Sequence, residues 1–163
     1  MSNTDPLVFL GGRVFTALRD STDLDPFIDN RVFDGDSVRN GTAYPFLTVK
    51  FPSVVEDDDG CGRHWISTVE VHTWDRSKNS LKTRQMTGYI RDALDAIQFD
   101  FPITCDITTL TCDDATVTCD RLTDDVDFNV NYQQFQQTRV MDDPDGLTSH
   151  GIVVYEFSLS EPS

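Results

Sequence analysis

The hydrophobic positions alternate between two periods along the chain. Leu7, Leu10, Val14 and Leu18 recur at spacings of three and four, which lines one face of a helix. Asp5 suits the N-cap of that helix and Pro6 its first position. Gly11 and Gly12 each cost about 1 kcal/mol relative to Ala, so the helix needs packing to hold it. A turn-rich stretch around Asp25-Pro26 and Asp29-Asn30 follows, then a short strand, Arg31-Val32-Phe33-Asp34. Tyr44 to Phe51 is rich in β-formers, with Pro45 at its start, where a missing N–H is tolerated. After an acidic loop, Glu56 to Gly62, the run His64 to Trp74 reads as a strand. It places Trp65, Val69 and Val71 on one face and Ile66, His72 and Trp74 on the other, the mark of a central strand.

Ser77 is the expected N-cap of a second helix, with Met86, Tyr89, Ile90, Ala93, Leu94 and Ile97 on one stripe. Phe101-Pro102 ends it. Residues 103–123 are Thr-rich and strand-like, and are expected to form an inserted hairpin. Val126, Phe128, Val130 and Tyr132 then alternate, and Phe135 breaks phase, which predicts a bulge near Gln133-Gln134. Asp142-Asp143-Pro144-Asp145-Gly146 is a turn in which Pro presets φ and Gly supplies φ > 0. The closing strand carries Val153, Tyr155, Phe157 and Leu159 on one face. The order predicts one α+β domain over residues 1–163, a mainly antiparallel sheet packed with two α-helices, plus the 103–123 hairpin.

At 163 residues, a single core can bury roughly 70% of the unfolded surface. No run of apolar residues is long enough for a membrane helix, and the first residues lack the basic flank of a secretory signal. The net charge is −15, and only Glu56, Glu70, Glu156 and Glu161 among the acids are Glu. Nucleic-acid affinity is built from Lys and Arg neutralising phosphates, so this balance argues against specific binding to a phosphate backbone.

Cys105, Cys112 and Cys119 are evenly spaced, and Cys61 stands alone. A hairpin centred on Cys112 sets Cys105 opposite Cys119, where a bridge would need oxidising surroundings. Zinc sites use close cysteine pairs, and here only Cys61 and His64 are near each other, so no metal is expected. Aligning Gly146 or Gly60 to a calcium-binding loop leaves Met141 and Ile152, or Val55 and Ile66, where the terminal acids belong. There is no nucleophile elbow, phosphate-binding loop, dinucleotide fingerprint or zincin helix. His64, His72 and His150 sit in separate settings and are each read as packing or hydrogen bonding. The chain is therefore expected to be non-enzymatic and without cofactor.

Four segments, in order, resemble the tail-completion and tail-terminator family of long-tailed phages and gene transfer agents. The most specific is Arg139 to Phe157, a D-P-D-G turn followed by T-x-H-G and an alternating strand, with Asp143, Pro144, Asp145, Gly146, His150 and Gly151 as its signature. Arg31 to Asp34 and Tyr44-Pro45 to Val49 resemble the family's first two strands. Val69 to Asp75, with Trp74, running into the Ser77–Ile97 helix, resembles its central strand and second helix. The likeness spans most of residues 7–101 and 126–159; the 103–123 insertion, the longer acidic loop and the high negative charge depart from it.

The resemblance implies a virion protein assembled in the host cytoplasm. It implies a ring of about six copies that caps the tail tube and meets the head-side connector, with heterologous contacts closing the ring. DNA is then only passing cargo, and Asp57, Asp58 and Asp59 are candidates to line the lumen, where negative walls repel phosphates. The alternative reading is another neck protein of the same particle, a head-completion, stopper or adaptor subunit. A small metal-dependent enzyme using Cys61, His64 and the Asp runs, and a secreted disulfide-stabilised domain, are the competing readings from other classes.

Overall fold

A computed structural model describes residues 5–35, 37–58, 63–77, 80–97 and 128–161. The expected 103–123 hairpin with its three cysteines, Phe101-Pro102 and Cys61 lie outside these residues. The elements run α1 (Pro6–Asp20), α2 (Asp25–Ile28), β1 (Val32–Asp34), β2 (Phe46–Asp58), β3 (Arg63–Asp75), α3 (Ser80–Asp95), β4 (Asn129–Asp142) and β5 (Ser149–Ser160). The strands form one sheet in the order β1-β2-β3-β5-β4, antiparallel except for the β1–β2 pair. The α+β expectation with two long helices is met, and α2 adds one further turn.

The strand pattern explains the two layers. Successive strand side chains point to opposite faces, and on β3 the odd positions from Trp65 to Asp75 are all buried while the even ones are mostly half-exposed. β5 buries Val153, Tyr155, Phe157 and Leu159 completely. These residues form one core with Leu10, Val14 and Leu18 of α1 and Met86, Ile90 and Leu94 of α3. Both helices therefore cover one face of the sheet, called here the inner face. Asp5 caps α1 as expected, its side chain accepting from the Leu7 N–H at 2.8 Å.

Two expectations need correction. The second strand does not stop near Phe51: it continues through the acidic run to Asp58, so Glu56 to Asp58 are strand rather than loop. Pro52 masked this continuation, because the ladder slips between Lys50 and Ser53 and a proline costs no ladder hydrogen bond at a bulge. The expected Ser77 cap of the second long helix turns on residues 78–79, which lie outside the described residues; α3 is described from Ser80, and the Ser77 hydroxyl donates to the buried Asp75 carboxylate, with Lys82 4.0 Å from the other oxygen. On β4, two slips replace the single bulge at Gln133-Gln134, one between Val130 and Tyr132 and one between Phe135 and Gln137. The first turns Tyr132 out of phase with the buried Val130 and onto the outer face.

Candidate functional site

The two ends of the sheet differ in chemistry, and β3 spans the distance between them, roughly 40 Å for a 13-residue strand. At one end lie the last residues of β2, Glu56, Asp57 and Asp58, paired with Trp65, His64 and Arg63. Arg63 is held there by Glu56 at 2.8 Å and by Glu161 at 3.5 Å. Asp57 and Asp58 belong to this strand end, and Asp59 lies outside the described residues. At the opposite end lie Phe46, Trp74, His150 and Met141, neighbours across the four long strands.

The turn between β4 and β5 closes that second end. Gly146 sits at φ +64, a conformation Gly adopts without strain. The Asp145 carboxylate accepts from the Leu147 and Thr148 N–H groups at 2.8 Å and from the Thr148 hydroxyl at 2.6 Å. The Thr148 hydroxyl, followed by these backbone donors, holds the Asp145 carboxyl below the usual carboxylate range. Asp143 donates its backbone N–H to the Thr148 carbonyl. Leu147, at the tip, is 67% exposed, and Met141 beside it 42%.

On the outer face, the resembling residues converge. His150 stacks on Trp74 with ring centroids 3.9 Å apart and planes 9° from parallel. His150 Nε2 lies 2.9 Å from His72 Nδ1, and His72 Nε2 lies 3.3 Å from Glu70 Oε2. Trp74 donates its indole N–H to the Thr48 hydroxyl at 3.3 Å. Burial lowers the affinity of His150 for a proton; His72 adds to this, Asp143 opposes it and Lys50 reinforces it. The aromatic row continues through Phe46 to Tyr44, whose ring carries the Arg76 guanidinium at 4.5 Å. Pro45 follows a cis peptide bond, and its carbonyl accepts from Arg31 Nε at 3.0 Å, which ties the β2 entry to β1.

Gly151 faces inward, where the two layers come closest. A Cβ there would meet the methyl groups of Thr87 at 2.7 Å and of Thr73 and Thr83 at 3.0 Å. The Gly in T-x-H-G is thus what lets α3 lie against β5. The far end of α3 is pinned separately: the buried Tyr155 hydroxyl donates to Asp95 at 2.6 Å, and Gln133 donates to the Leu94 carbonyl at 2.8 Å. Periodicity did not reveal the three threonines or the histidine pair, because each is an ordinary polar residue until β3, β5 and α3 are brought together.

Among the described residues, no group of three or more His, Cys, Asp or Glu side chains could hold a metal ion. Nor does any helix among them have the length and apolarity to cross a membrane.

No curated protein matches the chain. A chain from the solved virion of a native gene transfer agent particle has the same fold, with a TM-score of 0.67 at 11% identity, covering 96% of this chain and 99% of that one. The sequence profile of the family described as "Tail completion protein gp17" matches residues 12–160. That span takes in every strand, the histidine pair and the closing turn, and the chain belongs to the tail completion protein gp17 family, whose members are non-enzymatic structural proteins of the virion tail.

Proposed function

We propose that the protein is the tail terminator of its particle. A ring of about six copies caps the finished tail tube, stops its polymerisation and presents a second surface to the head-side connector, with heterologous contacts that close the ring. The observation that carries this reading is the two-ended sheet. A ring at the top of a tube needs two unlike axial or radial surfaces. Here an acidic strand end and an aromatic, turn-capped end lie at opposite ends of the same strands.

Asp57, Asp58 and Asp59 face the DNA channel in this reading. The net charge of −15 favours it, because a conduit must let phosphates slide past unbound. The turn end, with Tyr44, Trp74, Asp143 to Gly146, His150 and the exposed Leu147 and Met141, serves the protein–protein contacts, while Gly151 packs beneath it.

Adding the purified protein to polymerising tail tube protein tests the assignment. Electron microscopy should show tubes of arrested length, each with a ring at one end. Tubes that keep growing, together with binding to the head-side connector, would instead make this chain a stopper or adaptor of the neck. Particles in which Asp57, Asp58 and Asp59 are all changed to Lys should cap their tails and release DNA more slowly. Unaltered release would remove those residues from the lumen.

A further inference from the structure

We propose that His72 and His150 form a proton-operated latch on the outer face, which holds β5 and its closing turn against β3 and lets go when both rings are charged. The geometry allows only certain protonation states. A neutral imidazole has one N–H donor and one acceptor nitrogen, whereas an imidazolium has two donors and no acceptor. His72 Nδ1 and His150 Nε2 face each other at 2.9 Å, so one of them must be without a proton.

The first proton added to the pair is accommodated. It resides on His72, whose Nε2 then donates to Glu70 Oε2 at 3.3 Å while Nδ1 donates to His150. A second proton puts N–H against N–H and one positive charge beside another. The weaker-held ring must then swing away, and that ring is His150, the half-exposed one at the start of β5.

Every element packed around the pair bears on this balance. On β3, Glu70 favours a proton on His72. On β2, Lys50 is paired with Glu70 in the ladder and disfavours charge on His150; on the turn, Asp143 favours it. From β4, Met141 lies opposite His150, and Arg139, opposite Ile152, adds a positive charge at the next outer-face position. Burial also opposes charging His150. The second proton therefore enters only in acid. Its entry costs the Trp74–His150 stack, whose rings are 3.9 Å apart. What is released is the corner that bears Leu147, Thr148 and the turn, so acid changes the surface a partner would meet at this end of the sheet.

Proton–carbon NMR of the imidazole C2–H groups in the intact protein, titrated from about pH 8 to about pH 4, reads this directly, since the chain has three histidines and one, His64, lies at the far end of the sheet. The His72 and His150 resonances should each move in two steps separated by more than about one pH unit, because the apparent constants belong to the pair. The Trp74 indole N–H should shift with the lower step. In His72→Gln, which cannot take a proton, His150 should collapse to a single step at higher pH than the lower step of the pair. Independent single steps for the two rings would overturn the proposal, as would a lower step that leaves the Trp74 indole unmoved. If His72→Gln fails to fold, the wild-type titration alone decides.

Discussion

Changing Gly151 to Ala probes the contact on which the two layers close. Gly151 lies in an ordinary strand conformation, so the substitution brings no backbone strain, and in isolation it should stabilise the fold by about 0.4–1 kcal/mol by restricting the unfolded chain. The structure reverses that sign. The new methyl would lie 2.7 Å from the Thr87 methyl and 3.0 Å from those of Thr73 and Thr83, each well inside normal carbon–carbon contact. Two of the three neighbours are on α3, so relief requires the helix to lift or the threonines to leave their rotamers. Overpacking of this kind costs about 1–3 kcal/mol, and after the unfolded-state gain we expect a net loss of about 1 kcal/mol.

For a domain of this size that lowers Tm by roughly 2–4 °C, measurable by calorimetry or circular dichroism. Thr87→Ser should relieve it specifically. The serine keeps the hydroxyl that donates to the Arg84 carbonyl at 2.8 Å and removes the methyl at 2.7 Å. The double variant should therefore be more stable than the two single losses added together, by about 1 kcal/mol or more. A Gly151→Ala protein as stable as wild type, or additivity in the double variant, would refute the close-approach argument.

Tyr155→Phe removes a hydroxyl that donates to Asp95 from a fully buried ring, and urea denaturation should show a loss of about 1–2 kcal/mol with an unchanged m-value. Burial first, and then the Asp95 carboxylate, push the Tyr155 phenol well above its ordinary range, so a spectroscopic titration should find it un-ionised wherever the fold persists in alkali. Asp145→Ala should lower Tm at neutral pH and less so in acid. The folded-state Asp145 carboxyl is held below its unfolded value, so its contribution is present above that value and lost as pH falls through the folded one; an equal effect at both pH values would contradict this. His150 has the opposite consequence to a stabilised imidazolium. Its folded affinity for protons is depressed, so stability is full above the unfolded value of 6.5 and declines as pH falls below it, and His150→Gln should flatten that decline in melts between pH 7.5 and pH 5.

The strands and helices legible in the sequence are those that bury one face. β5 alternates without interruption, and its Val153, Tyr155, Phe157 and Leu159 are all core; α1 has a capping Asp, an N1 proline and a regular stripe, and forms as expected. Errors fell where one local signal competed with a longer-range one. Pro52 reads as the end of a strand, but β3 offers a partner beyond it and β2 passes the proline through a bulge. The phase change on β4 was visible at Phe135, yet its division into two slips depends on pairing with β5.

The candidate site was legible in its residues and illegible in its arrangement. Tyr44, Trp74 and His150 were selected by likeness, and the structure puts Trp74 and His150 face to face. His72 passed as an ordinary strand histidine because its partner is 78 positions away in the chain. The β3–β5 register, which sets Trp74 opposite His150, is the fact that joins them, and nothing local to either segment encodes it.

Native mass spectrometry of the purified protein, alone and with its tail tube protein, tests the central claim most directly. The terminator reading predicts a closed ring of about six copies, or a ring that assembles only when tube protein is added, as heterologous contacts require. A monomer that ignores the tube protein at every concentration would contradict it.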